Sequence, residues 1–167
     1  GLKNGDPVEF EGRMLEVTLG PGLLSSVYDG LQNNLTTMES VFLKRGEYTD
    51  PLDHKKLWDF TPIAKEGDKV TAADWLGEVK EGWLPHKIMV PFSFKGEYTV
   101  KKIAEAGKYN IDMVVAVLTG ADGEETYVTM TQKWPVKVAV KAYKEKPRPQ
   151  KIMETGVRCI DTFNPIA

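Results

Sequence analysis

Glycine and proline recur so often in this chain that long helices have little room. Fifteen glycines and ten prolines are spread through 167 residues, whereas a helix of the usual length needs an uninterrupted run between such breakers. Several segments between the breakers alternate apolar and polar residues, as strands with one buried face do. Residues 15–19 alternate in this way, and Trp58 and Phe60 flank Asp59. The sequence therefore predicts a mostly β fold.

Residues 111–134 contain the strongest hairpin signal. Residues 111–118 form an apolar run rich in β-branched side chains, and residues 127–131 alternate between polar and apolar ones. Asp122-Gly123 lies between the two segments, and glycine tolerates the positive φ that tight hairpin turns require. We predict a β-hairpin over residues 111–134.

Helix signals are short by comparison. Residues 25–29 and 37–40 each begin with a hydroxyl residue that could cap one or two helical turns. Residues 99–106 have some helical spacing of apolar side chains, but a strand is the competing interpretation. We predict short helical turns at the first two segments and leave the third open.

Two stretches are loose copies of one another. The first spans residues 67–79 and the second residues 96–111, and each consists of short strand-like runs separated by glycine turns. Such halves suit the facing layers of a small β sandwich. Residues 62–118 resemble the barrel-sandwich hybrid of lipoyl and biotinyl carrier domains. The predicted fold is therefore a small β sandwich or barrel with short helical turns and extended linkers.

The carrier-domain resemblance makes Lys87 a candidate acceptor for lipoate or biotin. In that family the acceptor lysine lies on a turn between two such halves and is typically bracketed by acid or Met. Here Lys87 follows His86 and leads into the apolar residues 88–91, as a lysine at the end of a strand would. A carrier domain modified at Lys87 stays open as an alternative.

Charge is nearly balanced overall but uneven along the chain. The net charge of −2 disfavours a dedicated nucleic-acid binder, because such domains carry a strong basic excess. Residues 133–151 hold seven cations and one anion. Pro147 and Pro149 also fix φ and remove amide donors there. We predict an extended basic connector at residues 141–151.

The single cysteine and the absence of long apolar runs indicate the compartment. Cys159 cannot form an internal disulfide, which favours a reducing, cytosolic setting. No apolar run approaches the length of about 20 residues that a membrane helix needs. Direct membrane insertion is therefore not expected.

No motif for nucleotide or metal chemistry stands out. A phosphate-binding loop needs GxxxxGK(S/T), but the nearest glycine pair, Gly77 and Gly82, is followed by Trp83. His54 and His86 lack a His or Cys neighbour at ligand spacing, so surface or half-buried imidazoles are expected. We predict no catalytic, cofactor-binding or metal-binding residues in this chain.

Cysteine and tryptophan are expected to pack rather than to react. Cys159 as a nucleophile would need a histidine base brought near it by the fold, and a small half-buried side chain is the favoured interpretation. The tryptophans could form a stacking platform for nucleic acid or sugar, yet each lies in or beside a strand signal, which favours core or edge packing. They are Trp58, Trp75, Trp83 and Trp134.

Several longer phrases occur in a distinctive order. They are GLKNGDPV at 1–8, LEVTLGPGLLSSVYDGLQNNL at 15–35, FLKRG at 42–46, LWDFTP at 57–62, GDKV at 67–70, HKIMVP at 86–91, MTQKWPVK at 130–137, YKEKPRP at 143–149 and TGVRCIDTFNPIA at 155–167. Together they resemble the catalytic A subunit of V-type and A-type rotary ATPases over essentially the whole chain. Asn164 and the pair Asn33-Asn34 depart from the residues usual in that family.

The resemblance implies three parts. Residues 1–37 correspond to the linker from an N-terminal barrel, and residues 38–135 to an inserted β domain called the bulge or non-homologous region. Residues 136–167 correspond to a basic connector and the start of the nucleotide-binding domain. The family's phosphate loop, which binds Mg-ATP, follows this stretch. No catalytic residue is therefore carried over, and the chain is expected to be a fragment that is inactive alone.

The expected function is structural. The resemblance implies a cytoplasmic, membrane-peripheral part of an ion-translocating ATPase that contacts the B subunit and the peripheral stalk. Two alternatives stay open: the carrier domain modified at Lys87, and a free-standing β-rich binding module. In the latter, residues 1–35 would pack as an integral part of the domain.

Overall fold

A computed structural model of the chain describes residues 3–10, 12–36, 38, 49–143, 145–146 and 148–166. Within these residues the chain forms ten short strands and one short helix, so the predicted mostly β fold is confirmed. The elements are β1 Glu16–Leu19, β2 Trp58–Pro62, β3 Lys69–Val70, β4 Trp75–Glu81, β5 Leu84–Met89, β6 Tyr98–Ile103, β7 Gly107–Tyr109, β8 Ala116–Thr119, β9 Glu125–Val128, β10 Gln132–Pro135 and α1 Arg158–Phe163.

Eight of the strands form two four-stranded antiparallel sheets. The first sheet has the order β5-β4-β2-β7 and the second the order β3-β6-β8-β9. The strands β1 and β10 form a separate ribbon in which Val17 lies opposite Trp134. Within the described part of the chain, no strand of one sheet pairs with a strand of the other. The predicted sandwich is therefore confirmed, without closure into a barrel.

The two repeated stretches occupy equivalent places in this sandwich. In each copy the first strand joins the second sheet and the following strand joins the first sheet: β3 and β4 in one, β6 and β7 in the other. Gly67 and Gly96 precede the first strands with φ of +90° and +85°, a left-handed conformation that glycine adopts without steric cost. Each copy thus supplies one strand to each layer.

Two clusters of buried side chains form the core. One contains Leu52, Trp58, Phe60, Val79, Ile88, Ile111, Val115 and Met130. The other contains Ala64, Val70, Leu76, Val90, Val100, Ala116, Leu118 and Val128. Ile103 packs against both clusters. In β2 the residues on either side of exposed Asp59 are buried, as the alternation predicts.

The predicted hairpin is present but shorter than residues 111–134. The strands β8 and β9 pair through the turn at Asp122-Gly123, where Gly123 has φ of +82°. Residues 111–115 precede the ladder, and their apolar character reflects burial of Ile111 and Val115 in the core. At the other end, β10 leaves the hairpin to pair with β1. The predicted strand at 111–115 and the pairing of residues 132–134 are therefore wrong.

The helical turn predicted at residues 25–29 is also wrong. Ser25 has φ of +63°, outside the right-handed helical region, and Tyr28 forms a β-bridge with Asn34. The turn predicted at residues 37–40 lies outside the described residues except for Met38. Residues 99–103 belong to β6, so the strand interpretation of that segment is confirmed.

Near the C-terminal end, the structure contains a helix that the sequence did not predict. Asp161 in α1 accepts hydrogen bonds from the backbone N–H groups of Thr155 and Gly156, at 3.0 and 3.1 Å. Pro165 follows the C-cap Asn164, and proline cannot continue a helix. In the basic connector before it, the described residues of 141–151 form no helix or strand, as predicted.

No helix in the described ranges has the length and apolar character needed to cross a bilayer.

Gly77 in β4 provides the most sensitive test of the packing. A methyl group added at its Cα would overlap the Phe60 ring and lie 2.9 Å from the Thr61 carbonyl oxygen. Both neighbours belong to β2, so neither can move without disturbing the sheet. We expect Gly77→Ala to lower the free energy of unfolding by about 1–3 kcal/mol, the usual cost of overpacking, measured by urea denaturation.

Gly30 is the matched control for this substitution. A methyl group there would meet no atom within 4 Å, so Gly30→Ala is expected to change the free energy of unfolding by less than about 0.5 kcal/mol. Equal effects at the two positions would show that β4 and β2 are not packed as described.

Candidate contact surface

The hairpin of β4 and β5 ends in an exposed tryptophan. The strands are joined by Gly82-Trp83, and Gly82 has φ of +60°, as the first central residue of a type II′ hairpin turn requires. Trp83 is 89% exposed. Tryptophan is enriched among the residues that contribute most of the binding energy at protein interfaces. The tip of this hairpin is therefore the candidate contact site.

A buried carboxylate holds the base of this tip. Glu81 is only 6% exposed, although it carries a charge. Its Oε1 accepts hydrogen bonds from the backbone N–H groups of Gly22 and Leu24, at 2.6 and 3.1 Å. Its Oε2 lies 2.7 Å from Nδ1 of His86 on the facing strand. These contacts supply the charge-assisted partners that a buried carboxylate needs.

The segment bound by Glu81 is the LGPGLL phrase of residues 19–24. Gly20 lies where a side chain would approach Thr131 Cγ2 to 2.8 Å, and Gly22 has φ of +110°. Leu23 packs against the first core cluster. The two glycines therefore let the backbone turn close to the sandwich and present its N–H groups to Glu81.

The adjoining phrase YDGLQNN folds into a loop that supports this segment. Asp29 accepts hydrogen bonds from the backbone N–H and the side-chain amide of Asn33, and these bonds lower the pKa of the Asp29 carboxyl. Buried Asn33 also accepts a bond from the Thr49 hydroxyl, at 3.1 Å. Gln32 exchanges two bonds with the backbone of Thr18 in β1. These polar residues have structural partners.

A histidine connects two loops at another part of the surface. Nδ1 of His54 lies 2.7 Å from Asp112 Oδ2, and Nε2 lies 3.2 Å from Asp50 Oδ2. The hydrogen bond to Asp112, followed by that to Asp50, raises the pKa of His54. The two carboxylates lie at opposite nitrogens of the ring, so the three groups do not converge on one point where an ion could sit.

The expectation of surface or half-buried imidazoles is confirmed for both histidines, whose side chains are 44% and 25% exposed. Across the described residues, no three His, Cys, Asp or Glu side chains form a group that could hold a metal ion.

Cys159 is exposed on α1, so the prediction of a half-buried cysteine side chain is wrong. The short helix has no buried residue, which leaves the thiol in solvent.

Lys87 does not occupy the turn position that the carrier-domain alternative requires. Lys87 is within β5, opposite Glu78 in β4, and forms an ion pair with that residue. Its Nζ also lies 4.8 Å from the centre of the Trp75 ring. The actual turn residues are Gly82 and Trp83. An acceptor lysine must reach a partner enzyme from an exposed turn, whereas this one is engaged on the sheet.

The tryptophans have separate roles, and the predicted core or edge packing applies to two of them. Trp58 is buried in the first cluster, while Trp134 packs edge-on to Phe92 and donates a hydrogen bond from Nε1 to the Val138 carbonyl, at 2.8 Å. Trp75 is 53% exposed beside Lys87, and Trp83 is at the tip. For Trp83 the packing prediction is wrong, because the two-residue turn carries it away from both sheets.

Glu81 is not among the residues predicted from the sequence, although a signal was present. In β4, Val79 and Glu81 lie two positions apart and are both buried. Because side chains two positions apart in a strand point to the same face, the alternation places an acid on the inward face. An inward acid in a strand indicates a buried polar anchor, because the carboxylate must find donors there. The sequence does not say which donors these are, since Gly22 lies 59 positions away.

Comparison with known proteins agrees with this architecture. Residues 49–137 match a family described as the ATP synthase alpha/beta subunit barrel-sandwich domain. The V-type ATP synthase alpha chain of Treponema denticola is 46% identical over all of this chain and 29% of its own length. That of Chlamydia abortus is 48% identical over 97% of this chain and 28% of its own length. The chain thus spans less than a third of these relatives.

Removal of the Glu81 carboxylate should loosen the segment around Gly22. Glu81→Ala leaves two backbone N–H groups and His86 without their acceptor, and we expect a loss of about 1–3 kcal/mol in the free energy of unfolding. Glu81→Gln, which keeps one acceptor oxygen, should lose less. The measurement is urea denaturation, together with amide hydrogen exchange at Gly22 and Leu24.

Glu78→Ala in the same strand serves as the control. Its carboxylate pairs with Lys87 at a partly exposed site, so the expected loss is less than about 1 kcal/mol, with amide exchange at Gly22 unchanged. A loss at Glu78 equal to that at Glu81 would contradict the anchoring role.

Stability should depend on pH through His54. Because its pKa is raised in the folded state, the stabilisation is fully present below the unfolded value of about 6.5 and is lost as pH rises through the folded pKa. Unfolding of the natural chain and of His54→Gln should therefore differ most at low pH and converge at high pH. A constant difference across the titration, measured by urea denaturation, would rule out this linkage.

Proposed function

The chain belongs to the family of the ATP synthase alpha/beta subunit barrel-sandwich domain, and we propose that it is a structural and subunit-contact domain of a V-type ATP synthase alpha chain. The match to that family over residues 49–137 supports the assignment, as does the likeness of V-type alpha chains to the whole chain. In this proposal the domain contributes shape and contact to a rotary ion-translocating assembly on the cytoplasmic side of a membrane.

The observation that carries the contact role is the anchored tip of the β4–β5 hairpin. Trp83 is almost fully exposed, while two residues before it Glu81 is buried and bound to the Gly22 segment. A rigid support reduces the conformational entropy lost when the side chain docks. Tryptophan is also among the residues that most often dominate binding energy at interfaces. The tip therefore suits insertion into a pocket of a neighbouring subunit.

In the proposed assembly, ATP chemistry belongs to other parts of the machine. The sequence has no phosphate-binding loop of the GxxxxGK(S/T) type, whose backbone N–H groups and lysine hold the phosphates. We propose that Mg-ATP binds outside these 167 residues and that this chain alone neither makes nor hydrolyses ATP. The B subunit and the peripheral stalk are the proposed partners.

A free-standing β-rich binding module is the second candidate function. It is favoured by the integration of residues 16–24 into the domain, since β1 pairs with β10 and Gly22 is bound by Glu81. An inserted domain would need the same contacts to fix it to the segment of chain that leads into it. The two candidates therefore differ in their partners and not in their folds.

Binding to isolated subunits tests the contact role of Trp83. We expect the chain to bind purified B subunit or peripheral-stalk subunits of a V-type ATP synthase in biolayer interferometry, and Trp83→Ala to weaken that binding by about tenfold or more, as loss of an interface anchor does.

Tyr127→Ala is the control, because Tyr127 is a comparably exposed aromatic residue, 64% accessible, on β9 of the second sheet. Its effect on the dissociation constant should stay within about twofold. Absence of binding to every subunit would reject the contact domain and favour the free-standing module. Equal weakening by both substitutions would reject the tip as the contact site.

A further inference from the structure

A second exposed apolar feature lies away from the hairpin tip. An open groove of about 770 Å³ is lined by side chains from β4, β5, the following loop and the basic connector. We call it the aromatic groove, and its apolar lining includes Trp75, Met89, Phe92, Phe94, Val140 and Tyr143. Trp75 and Tyr143 are each about half exposed. The groove thus offers apolar surface that the described residues leave open to solvent.

The rim of the groove is positively charged. Lys141 lines it, Lys95 lies between the lining residues Phe94 and Gly96, and Nζ of Lys146 is 5.0 Å from the Tyr143 ring centre. Among the described residues, none of these three lysines has a carboxylate within ion-pair distance. Their charges remain available to a partner.

The acidic groups around the groove, apart from the exposed Glu145 of the connector, are already engaged. Asp74 accepts bonds from the backbone N–H and the hydroxyl of Thr71, at 2.8 and 2.9 Å. Glu78 pairs with Lys87 on the neighbouring strand, and Glu97 pairs with Lys69 at 2.8 Å. The three lysines of the rim outnumber Asp74 and Glu145, and a partner of opposite charge is favoured.

We propose that the aromatic groove binds an acidic amphipathic segment of another subunit, with apolar side chains between the aromatic walls and carboxylates at the lysine rim. This inference rests on the proposed function for the identity of the partner as a subunit of the same assembly. The groove favours a peptide over a nucleic acid, because nucleic-acid binders carry a strong basic excess, whereas this chain has a net charge of −2.

Photo-crosslinking from the groove tests the proposal. In the full chain, Tyr143 is replaced by the photoreactive amino acid p-benzoylphenylalanine, which keeps an aromatic ring at the rim. The chain is irradiated with the purified B and peripheral-stalk subunits, and crosslinked peptides are identified by mass spectrometry. We expect one predominant site, in a segment whose apolar residues are flanked by Asp or Glu. The same photoreactive residue at Tyr127 should give a different pattern or none.

Charge reversal distinguishes docking from chance proximity. Lys95→Glu combined with Lys141→Glu should lower the crosslinking yield by about fivefold or more at low salt, because rim charges chiefly govern encounter. Lys65→Glu combined with Lys102→Glu changes the net charge equally at exposed lysines of a different cleft and should leave the yield unchanged. Circular dichroism verifies that both double variants fold.

Each remaining outcome overturns the inference. These outcomes are a yield insensitive to the groove lysines, a crosslinked segment without acids, a crosslink to a second copy of this chain, or no crosslink above the Tyr127 position. If the chain still binds a subunit with Trp83-dependent affinity, the groove proposal fails while the proposed function stands. If the chain binds no subunit, both fail.

Discussion

The hydrogen bonds of one buried carboxylate connect the parts of this structure that the chain order separates. Glu81 ends β4, yet its oxygens bind backbone N–H groups 59 and 57 positions earlier and a histidine on the next strand. A charged group at this depth is tolerable only because every contact is charge-assisted. The same contacts attach the base of the β4–β5 hairpin to the Gly22 segment, and Trp83 extends from that base.

The sandwich itself follows from a small repeated pattern. A glycine in left-handed conformation precedes a strand of the second sheet, and the chain then crosses to a strand of the first. The first-sheet strands of the two copies, β4 and β7, pair with the two edges of β2. Ile103 packs against both core clusters. Because each layer draws strands from both copies, neither copy can bury its apolar face alone. The hairpin of β8 and β9 completes the second sheet by pairing with β6.

Two features of the exposed apolar surface suit contact with other subunits. Trp83 extends from the hairpin tip, and the aromatic groove lies beside Trp75 with lysines on its rim. The two surfaces differ in chemistry, since the tip presents one large anchor and the groove combines apolar walls with positive charge. A domain that served only as a spacer would not need either. Two distinct surfaces suit a domain that contacts more than one neighbour.

The fold class can be predicted from the sequence, because glycine and proline spacing limits helix length and the alternation of side chains in β2 reports which face is buried. The sequence also predicts the turn at Asp122-Gly123, which depends only on local backbone freedom. Tertiary structure alone decided the ends of that hairpin, the strand position of Lys87, the exposure of Cys159 and Trp83, and the donors that meet Glu81. Those features depend on contacts between residues far apart in the chain, and local pattern carries no information about distance in space.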